Sequence, residues 1–198
     1  MEEIYEKMWE LAKPYYEKGR VYDIPHIKWM MKHVECMCVH ENGLNIQILM
    51  PLAILHDVGY SRTENKNPDT KDANQKIIHM RDGAKIARKI LEELDFDPEL
   101  TERVVYLISV HDNWVVGDNK PYKENKDLAA FTDLDFLYAQ SSIMVLKSQG
   151  KAMGRSAIEM LHLWEHDDEK FTNRPFVTQY AKDLFMKQIA DRKKELGL

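Results

Sequence analysis

Cysteine is scarce in this chain of 198 residues, where Cys36 and Cys38 are the only two. On a helix an i, i+2 pair points to nearly opposite sides, which excludes a disulfide or shared metal ligation and leaves buried or half-buried thiols. Long apolar runs are missing as well. None approaches the ~20 residues of a membrane span. The N-terminal Met-Glu-Glu-Ile-Tyr-Glu-Lys has no basic segment followed by an apolar one, so a cytoplasmic protein with no membrane partner is expected. No segment sustains the alternation of a half-buried strand. Lysine and arginine nowhere gather in fives, and 28 basic against 33 acidic residues leave a formal charge of −5. The basic footprint of a protein that binds a nucleic acid polymer is therefore absent. A small phosphate-bearing partner stays compatible, since a metal centre supplies positive charge locally.

What the chain has instead is helical periodicity. With 44% hydrophobic residues, it is long enough for one domain with a sizeable core and short for two. The pattern predicts helices over 3–18, 24–41, 45–57, 70–94, 97–111, 127–139, 141–167 and 175–196, separated at 59–69 and 112–126 by polar loops. Asp23 reads as an N-cap and Pro25 fits a first turn. The expected fold is an all-α, single-domain bundle over 1–198.

The chemistry concentrates at His56-Asp57, which closes the apolar run Ile46–Leu55. A buried ionised carboxylate costs several kcal/mol unless it is paired or coordinates a metal. Val58-Gly59-Tyr60 then turns the chain away, which predicts a dyad at a mouth. Helical spacing puts His56 on the face of Leu49, Leu52 and Ala53, His79 with Ile86 and Ile90, and His111 with Val104, Leu107 and Ile108. Gly83, four residues after His79, suggests close approach of another backbone. His26 stands at the start of its helix. His33 and His40 follow it at seven-residue intervals, ~10 Å of rise apart, too far for one ion. They read as a structural neighbour of the site and a surface residue, and His162 and His166 as a surface patch. Asp133 and Asp135 compete, because their helix is apolar almost all round. Imidazole and carboxylate donors suit Fe, Mn, Zn, Co or Ni. Arg62, Lys66, Arg81 and Lys85 flank the dyad loop or His79 and are candidate phosphate contacts, though each also reads as solvated charge.

The order His26, His56-Asp57, His79, His111, Asp135, with the local sequence Leu-Ala-Ile-Leu-His-Asp-Val-Gly, resembles the HD-domain superfamily of metal-dependent phosphohydrolases. The resemblance runs from about Tyr22 to Ala139, leaving 140–198 as C-terminal helices on the core. It implies that His26, His56, Asp57 and Asp135 bind one divalent metal, that His79 and His111 bind a second, and that Asp57 bridges them. Leu137 and Ala139 match the family pattern after the metal aspartate, which favours Asp135. The segment from His79 to Ala84 resembles the His-x3-Gly-Ala segment of binuclear members that cleave dinucleotides. Two departures stand beside it. Tyr60 takes the place where many relatives have Lys, and Asp112 follows His111 where cyclic-dinucleotide phosphodiesterases have a second His and Glu, which sets that activity aside. The resemblance implies cleavage of a phosphoester or phosphoanhydride of a small substrate, a nucleotide foremost, by metal-activated hydroxide, with Asp57, His79 and His111 as catalytic residues. The rivals are a mixed-valence di-iron oxygenase on the same ligand set and a non-catalytic metal-stabilised binding module. The amphipathic terminal helices allow a homodimer without requiring one.

Overall fold

The computed structural model describes residues 2–64 and 73–198. Lys66, one of the candidate phosphate contacts, lies outside the described residues, as does the expected start of the fourth helix. The described residues form helices and turns with no strand, so the fold is all-α. In chain order the helices are α1 (Glu3–Lys18), α2 (Asp23–His40), α3 (Ile46–Leu55), α4 (Ala73–Glu93), α5 (Pro98–Val110), α6 (Lys120–Glu124), α7 (Lys126–Tyr138), α8 (Ile143–Ala152), α9 (Ala157–Glu165), α10 (Asp168–Asn173) and α11 (Gln179–Leu196). Short 3-10 turns occupy Val58–Arg62 and Asn113–Val116.

Polar residues in the sequence start most of these helices. The side chains of Asn45, Asp97, Asn125, Ser142 and Thr178 each accept a backbone N–H from the first turn they precede. Ser156 and Glu159 close a reciprocal capping box on α9. Such caps satisfy N–H groups that the helix itself cannot, at about 1 kcal/mol each.

The helix that positions the site is α3. Every residue from Ile48 to Leu55 is buried, and α1, α2, α5 and α7 all pack against it. A helix apolar on every side can only be stable when wrapped in this way. The Met-rich stripe of α2, Ile27, Met30, Met31, Val34 and Met37, is buried against the core as its spacing predicts. Tyr16 of α1 donates its hydroxyl to the Ile54 carbonyl at 2.7 Å, tying α1 to the end of α3. Leu146, Met160, Leu161 and Ile189 make a smaller cluster among α8, α9 and α11, and α11 also packs on α7 and α2.

Several expectations are corrected. The helix expected over 141–167 is two helices, because Met153–Arg155 turns the chain and Gly154 takes the left-handed φ of +66°. Residues 168–173 add a short helix. Asp23 is no N-cap: Tyr22 holds that position, and Asp23 lies inside the first turn with its carboxylate on Arg20. The start of the loop after the dyad is not exposed, since Val58, Gly59, Tyr60 and Ser61 are buried in a 3-10 turn. The second polar loop is largely ordered into the 3-10 turn Asn113–Val116 and α6.

Candidate metal centre

His56 and Asp57 sit where α3 ends and the 3-10 turn begins. They are buried, at 1% and 7% exposure, so the dyad lies inside the bundle rather than at its mouth. Two backbones nearly touch at this turn, an approach that only a residue without a Cβ allows. A Cβ on Gly59 would lie 1.9 Å from the His79 carbonyl oxygen and 2.6 Å from the Gly83 nitrogen. Gly83 answers it from α4, where a Cβ would stand 3.3 Å from the Gly59 nitrogen. The close approach suggested by Gly83 is thus made by Gly59, and it brings α4 and its His79 beside the dyad.

The structure brings His26, His56, Asp57, His79, His111 and Asp135 together. One donor atom each of His26, His56 and Asp57 lies within 4.8 Å of the others, and the same holds for Asp57, His79 and His111. Asp57 divides its oxygens between the two sets. Its Oδ2 is 3.4 Å from His56 Nε2, while its Oδ1 is 3.5 Å from His79 Nε2 and 3.7 Å from His111 Nε2. Asp135 Oδ1 completes the first set, 3.1 Å from His26 Nε2 and 3.9 Å from His56 Nε2. His79 and His111 meet at 3.1 Å between their Nε2 atoms. The side chain of Asp135 is 31% exposed while those of the other five stay below 10%, so the cluster opens on the Asp135 side.

Ring orientation follows from backbone bonds. His56 Nδ1 is 3.2 Å from the Ala53 carbonyl and His111 Nδ1 is 2.8 Å from the Ile108 carbonyl. A carbonyl can only accept, so each Nδ1 carries a proton, and in the neutral form of either ring, the form that would ligate a cation, the Nε2 lone pair faces the cluster. Aromatic rings hold the planes: Tyr60 stacks on His79 at 4.1 Å, Tyr138 on His26 at 4.4 Å, and Phe131 sets its edge to His56 at 4.9 Å.

The centre calls for positive charge. Burial alone would raise the Asp57 carboxyl, yet the neighbouring imidazoles, His56 first and then His111 and His79, hold it well below the usual carboxylate range. Burial would likewise raise Asp135, and His26 holds it down. His56, which burial would push down, is raised to about 9 by Asp57. His79 is pushed down to about 4, chiefly by burial. His26 Nε2 and His56 Nε2 are buried with no hydrogen-bond partner. Orphaned imidazole nitrogens facing paired carboxylates are the donor set that a divalent cation satisfies, and the residues present fit one.

Asp133 is used elsewhere. Its carboxylate takes the buried Lys170 ammonium at 2.8 Å and the Val177 N–H at 2.8 Å, which leaves Asp135 as the aspartate of α7 that meets the histidines. His33 shares a 2.8 Å hydrogen bond with the Tyr180 hydroxyl, and His40 and His166 bond backbone carbonyls on exposed surface.

Three of the candidate phosphate contacts, Arg62, Arg81 and Lys85, lie among the described residues. Arg62 is exposed at the end of its 3-10 turn. Arg81 and Lys85 are exposed and both bind Asp82, at 3.0 Å and 3.2 Å. Two residues beyond His79 is the opposite side of a helix, so Arg81 points away from the cluster. Among the described residues, the cations beside the centre are Arg20 and Lys76, neither of them a candidate on sequence grounds. Arg20, buried, pairs with Asp23 at 2.8 Å, stands 3.8 Å from Asp57 Oδ2 and lies 3.8 Å over the Tyr60 ring. Lys76 pairs with Asp112 at 2.6 Å. Lys76 had a legible signal, since it precedes His79 by one helical turn. Arg20 had none, because an Arg after a helix-ending Gly reads as solvated charge.

Set beside known proteins, residues 24–136 match the family model of the HD domain, more than half of the chain. That span holds all six clustered residues. No curated protein and no solved structure matches the chain.

Proposed function

Because this chain belongs to the HD-domain family, whose members are mostly metal-dependent phosphohydrolases, we propose that it hydrolyses a phosphoester or phosphoanhydride of a small substrate, with a nucleotide foremost. The observation that carries the reading is the divided carboxylate of Asp57, one oxygen toward His56 and the other toward His79 and His111. In this reading His26, His56, Asp57 and Asp135 hold one divalent ion, and Asp57, His79 and His111 hold another. Divalent ions held there supply Lewis acidity to a phosphoryl oxygen and make water more acidic.

The chain's own residues prepare the rest. The Nδ1 bonds to Ala53 and Ile108 fix the imidazole planes before anything binds, so ligation would need a proton to leave Nε2 of His56 but no rotation of the ring. Tyr60, Tyr138 and Phe131 wall the rings and keep bulk water from their faces. Arg20 and Lys76 pair most closely with Asp23 and Asp112, and among the described residues Asp57 has only a longer 3.8 Å contact to Arg20, so the charges of Asp57 and Asp135 are the ones left mainly for cations. Two divalent ions against those two carboxylates would give a centre of net charge about +2, which favours a phosphate dianion over neutral substrates.

The test is a nucleotide and phosphomonoester panel assayed for phosphate release with added Mn, Fe, Zn, Co or Ni, in air and under argon. Release that depends on added metal and continues under argon is the expected result. Turnover that stops under argon and returns with air, in protein that carries iron, would replace hydrolysis with oxygenation. No turnover on the whole panel, with metal still bound, would favour a binding module.

A further inference from the structure

Resting on the hydrolase reading, we propose that Lys76 binds an anionic oxygen of the substrate's phosphate at the His79 and His111 half of the centre. Lys76 lies one turn before His79 on the same face of α4. Its Nζ is 2.6 Å from Asp112 Oδ2, and that oxygen is 3.6 Å from His79 Nε2 and 3.8 Å from His111 Nε2. The ammonium is thus one carboxylate oxygen away from both imidazoles. An ammonium has three donors and no acceptor. Asp112 takes one, and 15% of the side chain stays open.

The group is also held ready. Asp112 is pinned from its other side, where Trp114 Nε1 donates to Oδ1 at 2.9 Å and the Asp112 N–H meets the Met80 sulfur at 3.2 Å. A lysine anchored in this way has already lost the rotamer freedom that an exposed lysine must give up on binding a ligand. Burial would push the Lys76 ammonium down, but Asp112 raises it, so the charge is kept. Of the other cations among the described residues, Arg20 is on the Oδ2 side of Asp57, away from the His79 and His111 half. Arg20 is committed to Asp23 through two contacts of 2.8 Å, and Arg81 and Lys85 are on Asp82.

A lysine that only neutralised Asp112 would have the same geometry, and the two roles separate on removing both charges. Inorganic phosphate binding to the metal-loaded full chain is measured by titration calorimetry, with metal per chain determined on the same samples. We expect Lys76→Gln to weaken phosphate about tenfold or more, the loss of one charge-assisted hydrogen bond, with metal content unchanged. The double variant Lys76→Gln/Asp112→Asn should stay weak, and Lys76→Arg should keep most of the affinity. Phosphate affinity of Lys76→Gln within about twofold of wild type, recovery in the double variant, or loss of metal from Lys76→Gln would each overturn the proposal. A wild-type protein that binds metal but no phosphate would likewise overturn the proposal, whereas the hydrolase reading beneath it falls only if the panel shows no turnover.

Discussion

Gly59→Ala is the substitution for which the structure sets the sharpest expectation. The added methyl would fall 1.9 Å from the His79 carbonyl oxygen, 2.6 Å from the Gly83 nitrogen and 2.8 Å from the His79 carbonyl carbon. Those are backbone atoms in the middle of α4, so no side chain can swing aside. Restoring a separation of about 3.3 Å requires the turn and the helix to part by roughly 1.4 Å, the difference between 3.3 and 1.9. Overpacking costs typically 1–3 kcal/mol, and a rigid helical obstacle puts this case near the top, at about 3 kcal/mol. For a chain of this length that is a fall in Tm of about 6–12 °C. The same displacement draws Asp57 away from His79, whose nearest atoms are now 3.5 Å apart, so metal per chain should fall as well. Calorimetric melting in chelator gives the stability loss free of metal linkage, and elemental analysis after reloading gives the stoichiometry. Gly117→Ala is the control. It has nothing within 4 Å of its added methyl but a φ of +80°, so it should lose about 1–2 kcal/mol through backbone strain alone and keep its metal. A Gly59→Ala protein that melts with wild type and binds the same metal would refute the reasoning.

Asp57→Ala should abolish turnover and most metal binding, because it removes the carboxylate that faces both sets, whereas His33→Ala should leave metal content intact; elemental analysis decides, and near-normal metal in the Asp57 variant would sink the centre. Alanine at His79 or His111 should lower stoichiometry toward one ion per chain with the fold retained by circular dichroism, and two ions in both variants would rule out the second set. Asp133→Ala strips the partner from the Lys170 ammonium, whose side chain is 1% exposed, and should cost about 3–5 kcal/mol without changing metal content; metal loss without destabilisation would reverse the roles of Asp133 and Asp135. His33 is pushed down from 6.5 to about 4 by burial and by Lys32, so the unfolded chain takes up its proton first. Its contribution to stability is complete above pH 6.5 and is lost as pH falls toward 4. His79, pushed down to about 4 as well, acts in the same window, so His33→Asn should reduce the slope of Tm there without abolishing it; an NMR titration of His33 near 6.5 would contradict it.

Local rules carried far in this chain. The period of apolar residues marked α1 to α5 and α7 to within a few residues, and the faces of α3, α4 and α5 already aimed His56, His79 and His111 inward. They failed where a turn is decided by one backbone angle, as at Gly154, or where polar residues are buried. The 3-10 turn after Asp57 contains residues that read as loop, yet Tyr60 is buried because its ring stacks on His79 and lies under the Arg20 guanidinium.

Helices and their buried faces were legible in the sequence by itself because each depends on residues within a turn or two of one another, and the order of histidines and aspartates that resembles the HD domain was legible because it is a linear pattern that needs no folding to be seen. Only the tertiary structure decided between Asp133 and Asp135, by giving Asp133 to Lys170 from a helix 37 residues later. It also turned Arg20 and Lys76 inward while leaving Arg81 and Lys85 on Asp82. Whether a charge is solvated or buried depends on which distant group arrives to meet it, and the spacing of residues along a single helix carries no information about that arrival.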